Sequence, residues 1–257
     1  MMSFRDDFNT LNTDIWEVFS NLPEGCTVDV ADGYLRFNLY PYPAKRGIIG
    51  LRYKSLLNLV DKRITFTPKF VNPSSSIFTW IGISVSNAPF IWGDTNPPGL
   101  RGFAYWLAGS GYEDKMCAAW QLLGTAIGPA AFECIRYPPT LKCYITKNGV
   151  YLYVDDIPMD YKMVTFDLSK SYLQLCVPTA GGEILDRTTV LVDYIEVAPA
   201  EFPETEPNIT QGSTQEMPLI PPGTLPSIFS ALMTPLIGNV FLGLAEKTVT
   251  PKGVKPR

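Results

Sequence analysis

An all-β fold, an antiparallel sandwich or barrel followed by a proline-rich linker and a C-terminal apolar helix, is what this sequence predicts. Three observations carry it. From residue 4 to about 197 the chain falls into short segments rich in Val, Ile, Tyr, Phe and Trp, divided by Gly, Pro, Asn and Asp roughly every ten residues. No long amphipathic helix interrupts that part. At Ala198 the composition changes to a proline-rich and then an uncharged apolar texture.

The opening MMSFRDDFNTLN has no apolar run of signal-peptide length behind a basic region, so the expectation is a chain made without a cleaved signal. GYLRFNLY, KRITFTPKF, FTWIGISVS, GFAYWLAG, KCYITKNG, VYLYVDD, YLQLCV and TTVLVDYIEV read as strands, with Asn148-Gly149 as a hairpin turn. AAFECIRY, PPT and LKCYITKNG read as a hairpin turning at Pro138 and Pro139. Such a turn sets Cys134 opposite Cys143, within disulfide reach; the alternative is two buried thiols. The disulfide would imply an oxidising setting or a hyperthermophilic source.

Residues 198–224 carry prolines at 199, 203, 207, 218, 221 and 222 between acidic residues, a linker that cannot bury a core of its own. Asn208 heads the one glycosylation sequon. In residues 225–245 large apolar side chains recur as doublets every four residues: Ile228, Phe229, Leu232, Met233, Leu236, Ile237, Val240, Phe241 and Leu244. That spacing makes one broad helical stripe, and small residues at four-residue spacing fill most of the other face. At ~1.5 Å per residue the segment reaches roughly 31 Å, one hydrocarbon thickness. Pro235 and Asn239 weaken the span, so a helix docked on partner subunits stands beside a membrane anchor. The tail, 246–257, holds Lys247, Lys252, Lys255 and Arg257, a positive flank.

Composition narrows the function. With 46% hydrophobic residues in 257, a packed core is expected, and a net charge of −4 with scattered cations argues against a nucleic-acid partner. Histidine is absent, which removes Ser-His-Asp and Cys-His catalysis and imidazole zinc sites. The five cysteines show no CxxC spacing.

FRDDFNTLNTDIWEV, DGYLRF, GVYLYVDDIPM and LVDYIEV resemble, in family order, landmarks of the concanavalin A-like lectin/glucanase superfamily, laminin G-like modules included. The resemblance covers residues 4–197 and implies a two-sheet antiparallel jelly-roll sandwich, with the closing strand beside the first. Domains are therefore expected at 1–197, 198–224 and 225–245, followed by the tail. Asp156 stands where the family usually has Gly in its late hairpin. The superfamily's hydrolases carry E-x-D-x-E on a strand, which sets two carboxylates on one face; this sequence has no such spacing. The pairs Asp6-Asp7, Glu113-Asp114 and Asp155-Asp156 are adjacent, so on a strand they would face opposite ways.

A glycan site is expected instead around Trp92, Asp94, Asn96, Arg101 and Tyr105, an aromatic platform beside polar groups, although alternating aromatics also build cores. Resemblance to lectin and laminin G modules implies a calcium option at Asp94; otherwise no cofactor is expected. The main expectation is a non-enzymatic surface or structural protein, a virion component or cell-surface protein with a lectin-like head. Its C-terminal helix would anchor it to other subunits or to membrane lipid, with surface glycan as a further partner. The alternative is a carbohydrate-active enzyme or cellular lectin.

Overall fold

Alternation decides the architecture strand by strand. In KRITFTPKF the residues Ile64, Phe66 and Phe70 are buried while Arg63, Thr67 and Lys69 keep contact with solvent, which is the period of a sheet packed on one face. The computed structural model describes residues 3–40, 47–71, 78–91, 97–108, 117–123, 130–134, 137–180 and 187–201. The chain divides into two units, Met1–Gly212 and Ser213–Arg257. The linker from residue 202, Asn208, the apolar stretch 225–245 and the basic tail all lie outside the described residues. Among the described residues no helix is long and apolar enough to cross a membrane.

Two antiparallel sheets hold the fifteen described strands. The larger runs β13 (Ile157–Met163), β12 (Gly149–Val154), β11 (Leu141–Ile145), β6 (Lys62–Phe70), β15 (Thr188–Pro199), β4 (Tyr34–Leu39) and β3 (Thr27–Ala31). β1 (Phe4–Asp6) joins it at the far end of β15, pairing Phe4 with Val197. The second sheet runs β10 (Ala130–Glu133), β9 (Cys117–Leu123), β8 (Gly102–Ala108), β7 (Phe78–Ser86), β14 (Tyr172–Ala180), β5 (Gly47–Tyr53) and β2 (Trp16–Ser20). Between them lies one apolar core, from Leu35, Phe37, Phe66 and Leu152 on one side to Leu51, Ile83, Tyr105 and Leu175 on the other. The opening and closing strands meet, as the resemblance implied.

The turns obey local chemistry. Asp155 and Asp156 join β12 to β13 with φ of 50° and 71°, so the two-residue turn with both central residues at positive φ survives without glycine, which Asp tolerates. The neighbouring β11–β12 turn is centred one residue earlier than expected: Thr146 N donates to Gly149 O (2.8 Å), leaving Lys147 and Asn148 as the loop. Gly149 is needed for close approach, because a Cβ there would lie 2.5 Å from Lys162 O.

The expected hairpin around Pro138 and Pro139 does not form. β10 closes the edge of the seven-stranded sheet, whereas β11 sits inside the eight-stranded one between β6 and β12. The chain changes sheets between them, with Pro139 buried at the crossing. Cys143 is therefore opposite Ile64 and Leu152 rather than Cys134, and both cysteines are thiols, with no disulfide between them. Burial pushes the Cys143 thiol well up in pKa.

Candidate functional site

The candidate surface is the outer face of the seven-stranded sheet. Its inward residues are large and apolar: Ile81, Ile83 and Val85 of β7, Phe103, Tyr105 and Leu107 of β8, and Leu173, Leu175 and Val177 of β14. The residues between them must point away from the core.

Register sorts these outward residues into rows. One crosses the sheet as Gln121, Ala104, Ser84, Gln174, Arg52 and Glu17, and it is polar at nearly every step. The next reads Trp106, Gly82, Cys176, Gly50 and Phe19. Gly50 leaves room for the ring beside it: a Cβ there would come within 2.8 Å of Phe19 Cζ. At the β5–β2 end the Arg52 guanidinium lies 5.0 Å from the Phe19 ring centre and 3.3 Å from Glu17 Oε2.

The middle of this face is covered by its own chain. The connection from β7 to β8 is closed at its base by Asn87, whose N donates to Arg101 O (2.9 Å) and whose Oδ1 accepts from Arg101 N (2.7 Å). Farther out, Phe90 is clipped to the sheet by one side chain: Phe90 N donates to Gln174 Oε1 (2.6 Å) and Gln174 Nε2 donates to Phe90 O (3.0 Å). Phe90 lies 6.1 Å from Trp106, and with Leu100, Ile48, Ala104, Leu123 and Cys176 they form a second apolar cluster outside the main core. Burial there pushes the Cys176 thiol well up in pKa. Phe19 and Trp80 flank the cluster and stay half-buried, as does Tyr172 at the end of β14.

The expected glycan residues separate on this frame. Tyr105 is not a platform: it is fully buried, and its hydroxyl donates to Tyr153 O (3.0 Å) across the core. Burial pushes it well up in pKa, helped by Cys143, Cys134 and Asp155. Its neighbour Trp106 takes the outward position instead. Arg101 is exposed at the base of the strap, its Nη1 donating to Leu100 O (2.9 Å). Trp92, Asp94 and Asn96 lie outside the described residues, so the calcium option at Asp94 does too. Among the described residues no three His, Cys, Asp or Glu side chains come together as a metal site. Arg52, Gln174 and Glu17 were missed by sequence reasoning, because only register brings three separate strands into one row.

Carboxylate chemistry has little to work with on this face. Among the described residues the outward positions of β2, β5, β14, β7, β8 and β9 hold one carboxylate, Glu17. Retaining glycoside hydrolysis needs two, about 5 Å apart. Asp6 and the Asp155-Asp156 pair are structural: Asp6 accepts from Phe8 N and Trp16 Nε1, Asp155 Oδ1 accepts from Thr140 N, and Asp156 pairs with Lys142, while Glu113-Asp114 lies outside the described residues.

No protein-family model and no curated protein matches the chain. Solved structures do. A structure of the endo-acting O-glycanases that members of the human gut microbiota express for mucin breakdown matches with TM-score 0.55 at 15% identity, over 77% of this chain and 98% of that one. A Bacillus licheniformis β-glucanase matches with TM-score 0.54 at 13% identity, over 77% and 98%. The catalytic domain of an endo-1,3-β-glucanase from Thermotoga petrophila matches with TM-score 0.53 at 11%, over 76% and 95%.

These neighbours correct the main functional expectation. The matched structures are of enzymes that cleave glycans, and they share this architecture over nearly their full length, which overturns the non-enzymatic virion reading. That reading rested on the missing E-x-D-x-E spacing and on a C-terminal stretch outside the described residues. At these identities the likeness fixes the fold and leaves the chemistry to the site. Residues 4–199 form a two-sheet concanavalin A-like jelly roll.

Proposed function

We propose that this chain is a carbohydrate-active protein that takes an extended polysaccharide on the outer side of its seven-stranded sheet. The observation that carries the proposal is the pair Arg52 and Glu17 beside the half-buried rings of Phe19 and Tyr172. Sugar rings stack on aromatic faces and give their hydroxyls to amides, carboxylates and guanidinium groups. Because Phe90 and the strap cover the centre over Trp106, the path for a glycan is shifted toward β14, β5 and β2. The glycanase-like architecture supports the same substrate class.

Glu17 is the carboxylate that the described part of this face offers to cleavage, which needs a second one beside it. The test presents the full chain with laminarin, mixed-linkage β-glucan and mucin O-glycan, following reducing ends for cleavage and affinity electrophoresis for binding. Retardation or cleavage by at least one of these is expected, with binding weakened about tenfold in Arg52→Ala, the loss of one charge-assisted contact. Glu17→Gln is expected to abolish cleavage while leaving the fold intact. If no polysaccharide binds or is cut, or if Arg52→Ala changes nothing, the reading fails.

A further inference from the structure

The outer face of the seven-stranded sheet is divided along β14. Outward residues ordinarily meet water, yet Gln174, Cys176, Ser84, Ser86 and Ala104 are fully buried and Trp106 is 4% exposed. Past β14 the face reaches solvent again. The Glu17 side chain on β2 is 51% exposed and that of Arg52 on β5 is 18% exposed, while Phe19 and Tyr172 are half-buried.

Register places a barrier in three successive rows between β14 and β7. In the row of Tyr172, its partner Ser86 donates from Oγ to Ala88 O (2.6 Å), next to the Asn87–Arg101 tie at the base of the strap. In the row of Gln174, both polar atoms of the amide are turned to the Phe90 backbone, so neither is offered to a ligand. In the row of Cys176, its partner Gly82 lies beside Trp106, and Cys176 and Trp106 are covered in one apolar cluster with Phe90 and Leu100.

What remains is a short shelf. From β14 through β5 to β2 is two strand spacings, about 10 Å. Tyr172, Arg52 and Phe19 lie diagonally across it, one on each strand. A ligand that touches all three therefore crosses the strands, with its inner end toward the strap and its outer end leaving over β2, the last strand of the sheet on that side. A polysaccharide held at an interior sugar has to leave its site in both directions. Here one direction is closed.

We infer that this site takes a glycan by its chain end: the chain enters over β2, lies on Phe19, Glu17 and Arg52, and its terminal sugar stops against the strap beside Tyr172. The inference rests on the glycan reading above and adds to it which part of the polymer is recognised. Phe90, clasped by Gln174, is the wall that excludes the interior of a chain.

The test is affinity electrophoresis of the full chain in laminarin and in mixed-linkage β-glucan, each intact and partly hydrolysed to shorter chains, compared at equal mass in the gel. If ends are bound, a tenfold rise in ends per mass lowers the mass needed for half-retardation by about tenfold, by mass action. Phe90→Ala and Gln174→Ala each open the wall and should make long and short chains retard alike at equal mass. Should one of them fail to melt cooperatively, the other decides. Equal retardation by both lengths in the parent chain, or stronger retardation by the intact polymer, overturns the inference and leaves the glycan reading standing. A preference for short chains that the folded variants keep overturns it too, since the strap is then not the wall. No retardation by either glucan overturns it as well, and binding of mucin O-glycan then decides whether the broader reading survives.

Discussion

Asp6 shows how much one side chain can organise. Its Oδ1 accepts from Phe8 N (2.9 Å) and its Oδ2 from the indole Nε1 of Trp16 (2.8 Å), so one carboxylate joins the opening strand to the first strand of the other sheet. Phe8 is fully buried and held at φ 48°, a left-handed conformation that a phenylalanine adopts only when its surroundings enforce it. Trp16 in turn meets Tyr53 edge-on at 5.4 Å. Asp6→Ala orphans both donors and releases the strained turn, at a cost of roughly 2–3 kcal/mol. Urea unfolding followed by tryptophan fluorescence checks this. Asp6→Asn, which keeps one acceptor oxygen and turns an amide toward the second donor, should recover less than half of the loss. The adjacency of Asp6 and Asp7 was visible in the sequence, but the bond to Trp16 depends on two sheets meeting.

At the scale of elements, the strap between β7 and β8 is clasped onto the sheet beneath it. It is held by Asn87 at its base and by Gln174 at its crest, and it buries Phe90 and Leu100 on a face that would otherwise be open. Gln174→Leu roughly keeps the volume but removes both hydrogen bonds that the amide makes with the Phe90 backbone. The expected loss is roughly 2–4 kcal/mol, one desolvation penalty for each. It should come with a red shift of tryptophan emission as Trp106 is uncovered; a wild-type melting curve and spectrum would show that the strap is held by other means. Nothing in APFIW pointed to this clasp, because the amide lies 84 positions away. Similarly, Tyr105 and Trp106 had to face opposite ways, but which one faced inward depended on which sheet face met the core.

For the whole molecule, the titration of stability depends on which groups are missing and which are buried. With no histidine, no side chain changes charge between the carboxylates and the thiols, so stability should be flat from about pH 6 to 8. Above that range the buried acids decide. Burial raises the folded-state pKa of Cys143, Cys176 and Tyr105, so the native state keeps these protons while the unfolded chain loses them. Their contribution is fully present below the unfolded pKa values and is lost as pH rises toward the folded ones. Each group should then lower stability by about 1.4 kcal/mol per pH unit, the thiols from about pH 9 and Tyr105 from about pH 10. Chemical denaturation across pH 6 to 11, with tyrosinate absorbance recorded alongside, tests this. Ionisation of Tyr105 before unfolding would contradict it.

Taken alone, the sequence determined that residues 4–197 make short antiparallel strands, because an alternating apolar period with turn residues at each break allows little else. It also determined that opening and closing strands belong together, through landmarks at both ends, and that imidazole chemistry is excluded. Tertiary structure decided the rest. The crossing between sheets at 134–141 sent Cys134 and Cys143 to different sheets, since a proline pair marks a change of direction without saying whether the chain returns or crosses. The row of Gln174, Arg52 and Glu17 and the clasp on Phe90 both join residues distant in sequence. Period along a strand reports which face a residue takes; only register across strands reports what stands beside it, and the candidate site is made of such neighbours.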